Sequence, residues 1–131
     1  MSNWCHADVL DNGPAYIKAN STKMLAILTY AAGDSYATVT TAGNIIAEVA
    51  MTPADYTLSG SPAAALDRVL TVASGKSDAS ANNTGDPTHI AHVDVTNAKV
   101  LWVHAESGAV TVSAGMPVTF PAPTYTSSQP V

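Results

Sequence analysis

Four histidines, two glutamates, eight aspartates and one thiol, Cys5, are the side chains from which this sequence could build metal binding, proton transfer or nucleophilic attack. His89 and His92 have the H-x-x-H spacing that serves a metal on a helix, but on a strand positions three apart point to opposite faces. His89 and His104 fall on one face of the hairpin described below, which makes them the better pair. Two imidazoles with only Glu106 as a third donor are an incomplete site, so no metal and no other cofactor is expected. His6 stands too near the first residue to be held rigidly by its own chain. Cys5 has no positioned base beside it and reads as a small buried or half-buried side chain.

The remaining motifs fail on their spacing. Gly75-Lys76-Ser77 has the end of a phosphate loop, yet that loop requires glycine where Leu70 stands. His104-Ala105-Glu106 matches the first half of a zinc-deaminase pattern, but no P-C-x-x-C follows. Most carboxylates sit in turn sequence, as at Asp34, Asp78 and Asp86. Asp67 lies on the opposite strand face from Arg68, and Asp94 has a cross-strand partner in Lys99. No catalytic constellation is expected, and the chain reads as non-enzymatic.

Such side chains need a scaffold, and 131 residues suffice for a single domain. Only 11% of the residues are charged, against a usual value of about 25%, while 47% are hydrophobic and Ala, Ser and Thr fill 50 positions. The surface is therefore expected to be largely neutral. A net charge of −5, with five scattered cations, supplies no basic patch for nucleic acid or an anionic membrane. One cysteine excludes an internal disulfide framework. The opening MSNWCHADVLDNG lacks the basic and apolar regions of a signal peptide, and no apolar run is long enough to span a bilayer, so a soluble protein made in a reducing cytoplasm is expected.

The periodicity predicts a mainly β fold. A short helix is expected within residues 6–19, with Pro14 at its first position, Gly13 before it, and Tyr16 and Ile17 inward. KMLAILTY (23–30) reads as a buried strand. Residues 44–51 place Ile45, Ile46, Val49 and Ala50 on one helical face and predict a second short helix. A short extended piece follows at 54–58, then a strand over 66–73 with Leu66, Arg68, Leu70 and Val72 on one face. Residues 74–87 contain no large apolar side chain and read as a binding or mobile loop. Thr88–Val95 and Val100–Ala105 form a hairpin that sets Asp94 across from Lys99. Its alternation puts Ala91, Val93, Val95, Val100 and Trp102 on one face and Ile90, His92, Asp94, Leu101 and Val103 on the other. Both faces are apolar, so both need cover, from the chain itself or from a partner subunit. Two more strands are expected at 110–113 and 116–120. The expected whole is a single β-sandwich-like domain over 1–120, followed by an extended C-terminal arm over 121–131.

The order RVLTVA, a Gly-, Asn- and Ser-rich loop, THIAHVDV, VLWV and VTVSAGMPVTFPA, preceded by a helix-like N-terminus running into STKMLAIL, resembles the small structural proteins encoded among the head and tail genes of many tailed bacteriophages. Strand patterns such as Thr88-His89-Ile90-Ala91 and Ser113-Ala114-Gly115 carry the resemblance. It implies a non-enzymatic virion component present in many symmetric copies. A neutral surface rich in Ala, Thr and Ser suits such contacts. The expected role is a capsid decoration, or cement, protein bound to the major capsid protein as a trimer or other small homo-oligomer. The alternatives are a head-to-tail connector or tail component and, in another class, a glycan-binding β-sandwich with Trp102 or Tyr125 as stacking platform. In the arm, Tyr125, Pro121 and Pro123 are the expected partner-binding residues: prolines favour an extended chain, and Tyr125 would anchor it on a neighbour while the loop 74–87 faces outward or toward a second partner.

Overall fold

A computed structural model of the protein describes residues 4–5, 13–59, 68–106 and 111–127. Its strands, numbered in chain order, are β1 (Trp4–Cys5), β2 (Lys23–Ile27), β3 (Ile45–Ala50), β4 (Tyr56–Ser59), β5 (Arg68–Val72), β6 (Ser77–Asp78), β7 (His89–Asp94), β8 (Lys99–Ala105), β9 (Val118–Thr119) and β10 (Thr124–Ser127). Two short helices, α1 (Pro14–Asn20) and α2 (Tyr36–Val39), join them. The larger sheet runs β1-β8-β7-β2-β3, a smaller one runs β10-β5-β4, and β6 pairs with β9. The protein is a mainly β domain with short helices, as its periodicity predicts.

The larger sheet carries apolar side chains on both faces. On one, Met24, Ala26, Ala47, Ile90, Leu101 and Trp102 meet Ile17 from α1 and Tyr56, Leu70 and Val72 from the smaller sheet. On the other, Leu25, Ile27, Ala91, Val93, Val100 and Val103 pack with Val39 from α2, and Tyr30, Tyr36 and Ile45 close over them. The residues of both faces are almost wholly shielded from solvent. Among the described residues, Val95 and Met116 are the large hydrophobic side chains that stand exposed. The chain therefore covers both faces of the hairpin itself.

The second helix is displaced from its expected place. Residues 45–50 are strand β3, paired with β2 from Lys23↔Ala50 to Ile27↔Ile45. The helix lies earlier, at Tyr36–Val39, where the Ser35 hydroxyl accepts the Thr38 amide at 3.2 Å. Consecutive β-branched Ile45 and Ile46 next to an available edge of β2 favour pairing over a helix, although the spacing of Ile45, Ile46 and Val49 fits both.

The loop 74–87 is not a free loop. Its Asp78 carboxylate accepts the Glu48 amide at 2.9 Å, Asn82 N–H donates to the Ile46 carbonyl at 2.7 Å, and Asn83 Nδ2 donates to the Ala42 and Ile45 carbonyls. Gly85 forms a two-way bridge with Val112. This turn-rich stretch thus satisfies the outer edge of β3, which pairing with β2 alone leaves open. Of the strands expected at 110–113 and 116–120, Val112 contributes this bridge and Val118–Thr119 forms β9.

The expected arm is likewise part of the fold as far as Ser127. Thr124–Ser127 pairs with β5 from Thr124↔Thr71 to Ser127↔Arg68, and Val72 N–H donates to the Pro123 carbonyl at 3.1 Å. Thr and Tyr in alternation suit a strand, and β5 offers its free edge within the same chain, so no neighbour is needed to order the segment. Residues 128–131 lie outside the described part.

Gly85 marks the tightest approach in this stitching. A Cβ there would stand 2.6 Å from Leu28 Cδ2 and 3.2 Å from Ile46 Cδ1, whereas one at Gly43 would meet nothing within 4 Å. Gly85→Ala is expected to cost about 1–2 kcal/mol in urea unfolding, and Gly43→Ala to change stability little. Equal effects of the two would contradict this role for the 77–85 segment.

Candidate functional site

The chemistry-bearing side chains gather between the two sheets, on the face of β7 and β8 that meets the smaller sheet. Their placement depends on one irregularity. The hairpin pairs Asp94↔Lys99 and Val93↔Val100, then shifts register so that His92 faces Trp102, Ala91 faces Val103 and Ile90 faces His104. Leu101 is the extra residue of a bulge, after which the alternation of β8 is reversed. Trp102 therefore turns toward His92 and away from the face of Val93 and Val100 expected for it, and Val103 takes the opposite face.

This shift also breaks the expected His89–His104 pair. His89 faces Ala105 and lies against Tyr30 on the other side of the sheet, with Thr88 Oγ 2.8 Å from its Nδ1. The histidines brought together are His92 and His104, with ring centroids 5.6 Å apart. Trp102 touches both: it stacks on His92 at 4.6 Å and 15°, and lies 4.9 Å from His104. Tyr125 meets Trp102 edge-on at 5.4 Å. That contact makes Tyr125 a core-capping residue of its own chain. Its neighbour Pro121 lines, with Ala26, Ile90, Phe120 and Glu106, a cleft of about 100 Å³ at the end of the sandwich.

His92 is fixed by a buried hydrogen-bond chain. The Tyr56 hydroxyl donates to Ser21 Oγ at 2.7 Å, and its oxygen lies 2.8 Å from His92 Nδ1. With the phenolic proton directed at Ser21, Nδ1 carries the imidazole hydrogen and donates to Tyr56. Nε2 of His92 and Nε2 of His104 are then buried without a hydrogen-bonding partner. His104 Nδ1 lies 3.3 Å from Glu106 Oε1.

A serine, a phenol and an imidazole in line are the groups that acid–base chemistry uses, but here none faces solvent: Ser21 is 2% exposed, Tyr56 1% and His92 0%. The chain ties α1 to β4 and β7 and offers no access to a substrate. Trp102, 4% exposed, presents no platform for a sugar ring. Burial drives the electrostatics. It holds His92 far below the usual histidine range and His104 down to about 4, and it pushes the Tyr56 phenol up. Burial also raises Glu106. At neutral pH both junction histidines are thus uncharged.

The other singled-out residues have local duties. Asp94 accepts the Asn97 amide and side chain at 3.2 and 2.7 Å, capping the hairpin turn as it pairs in register with Lys99. Lys76 pairs with Asp55 at 3.2 Å and does not reach toward an anion site. Asp55 lies below the ordinary carboxylate range: burial raises it, but the bond to the Thr52 amide and the Lys76 charge outweigh that. Asp34 accepts the Ala31 amide. No group of three or more potential metal ligands occurs among the described residues. His6, Asp67 and the side chain of Cys5 lie outside the description. The Ser21–Tyr56–His92 chain left no trace in the sequence, because its members are 35 and 36 residues apart and only the fold joins them.

Comparison with protein-family models, with curated proteins and with solved structures finds no match to this chain.

Two predictions follow from the junction. Tyr56→Phe keeps the ring but leaves Ser21 Oγ and His92 Nδ1 buried without this hydroxyl, and it should lower the unfolding free energy by about 1–3 kcal/mol. A change below about 0.5 kcal/mol in urea titrations would contradict the tie. The pH dependence has a definite sign. An unfolded histidine binds its proton near 6.5, whereas folded His104 binds only near 4, so between these values the unfolded chain holds more protons. Stability is full above pH 6.5 and falls toward pH 4, with His104 alone contributing about 3 kcal/mol to the loss. Urea midpoints at pH 7 and pH 5 should therefore differ measurably in the native protein and less in His104→Gln.

Proposed function

We propose that this protein is a virion structural component of a tailed bacteriophage, a capsid decoration protein that binds the major capsid protein as a trimer. The observation that carries the reading is the scarcity of charge on its surface, with 11% charged residues and a net charge of −5. Each of the four lysines is committed within the chain: Lys18 to the Pro53 and Tyr56 carbonyls, Lys23 to Glu48, Lys76 to Asp55, and Lys99 to the Tyr16 hydroxyl and ring. The outward-facing positions of residues 29–43 are filled by Thr, Ala, Gly and Ser, with few rotatable bonds to immobilise on contact. Small, uncharged, rigid surfaces suit shape-matched contacts repeated by symmetry, in which no charge has to be stripped of water. The order of strand patterns from Arg68 to Phe120 supports the same class.

Sedimentation equilibrium and quantitative mass spectrometry of purified virions test this reading. The isolated protein should sediment as a trimer at micromolar concentration, and a virion should hold hundreds of copies. A monomer in solution together with about a dozen copies per particle, the number a connector ring requires, would move the protein to the head-to-tail junction. Absence from virions would remove the proposal.

A further inference from the structure

His92 and His104 are the titratable groups buried where the two sheets meet, and their surroundings hold nothing that could balance a positive charge on both. From β8, Glu106 stands beside His104 alone, and from β7 a charge on buried His89 would oppose one on His104. From β4, Tyr56 faces His92 with a phenol kept neutral by burial. From β10, Tyr125 abuts Trp102. The fixed charges at the start of β4, Lys18 and Asp55, are engaged with backbone carbonyls and with Lys76. A proton on Nε2 of either junction histidine becomes a buried donor with no acceptor, because both atoms lack a partner. Two such protons would place like charges on rings 5.6 Å apart.

We infer that the junction is an acid-labile seam, along which the smaller sheet and α1 loosen from the larger sheet at mildly acidic pH while the larger sheet keeps its pairing. The asymmetry follows from the two cores. The second face of the larger sheet rests on Leu25, Ile27, Ala91, Val93, Val100, Val103 and Val39 of α2, an aliphatic cluster with the phenols of Tyr30 and Tyr36 at its margin. His89 lies at the end of β7 on that side, against Tyr30. The smaller sheet has three short strands whose buried side chains Tyr56, Leu70 and Val72 belong to the junction core, and a sheet of that size does not hold its pairing without the face it packs on. The depressed proton affinities of His92 and His104 put the strain below the ordinary histidine range, in step with this geometry.

Amide hydrogen exchange by two-dimensional NMR, corrected for the intrinsic pH dependence, tests the seam. Between pH 6 and pH 5 the opening constant of amides in β4 and β5 should rise by about tenfold for each junction histidine that takes up a proton on opening, while that of Ala91, Val93 and Leu101 stays within about twofold. His104→Gln should diminish the rise more than His89→Gln, which acts on His104 only through its charge. Uniform loss of protection across both sheets, no loss at all, or a rise abolished by His89→Gln would each overturn the inference. The comparison of the two sheets in the native protein stands even where a variant fails to fold.

Discussion

The central hairpin, β7 with β8, must be covered on two sides, and the rest of the molecule is arranged to do so. His89 to Asp94 are all buried, as are Val100 to His104. A strand pair that apolar on both faces loses on the order of 25 cal/mol per Å² for whatever it leaves in water. One chain has to supply two layers. The smaller sheet and α1 provide one, and the segment from Tyr30 through α2 to Ile45 provides the other.

A two-layered core also explains why polar groups inside it are few and why most of them meet one another, the Nε2 atoms of the junction histidines excepted. Tyr56, Ser21 and His92 form one connected set across the layers, and Thr88 serves His89 on the far side. Trp102, stacked on His92 and tilted against His104, gives both junction imidazoles an aromatic neighbour in place of water. Such a set favours one relative placement of the sheets, since sliding either by a residue would strand buried hydroxyl and ring nitrogen atoms.

What was legible in the sequence was the periodic part. Pro14 after Gly13 marks the start of α1, the run from Lys23 gives β2, and the alternation around Leu70 and Val72 gives β5 with its core face. The hairpin and its Asp94↔Lys99 pair were legible too. The bulge at Leu101 was not: one extra residue reverses every later side chain in β8 and leaves no mark in composition, so the histidine pairing was misassigned. The helix expected at 44–51 failed because Ile45, Ile46 and Val49 fit a helical stripe and a buried strand alike, and only the edge of β2 decides between them. The C-terminal segment looks like an arm in sequence because a four-residue edge strand between prolines carries too short a pattern to show its partner.

The closure of β3 by residues 77–85 has a practical bearing on where foreign peptides could be grafted. Composition alone points to this Ser-, Asn- and Gly-rich stretch as the permissive place for a tag or an epitope. Its backbone and side chains, however, seal a sheet edge through Asp78, Asn82, Asn83 and Gly85. An insertion there would expose a row of unpaired amides and invite edge-to-edge aggregation. The tip of the central hairpin is the sounder graft point. Residues 95–98 are exposed in succession, the local cap from Asp94 lies within the turn itself, and β7 beneath is buried along its whole length.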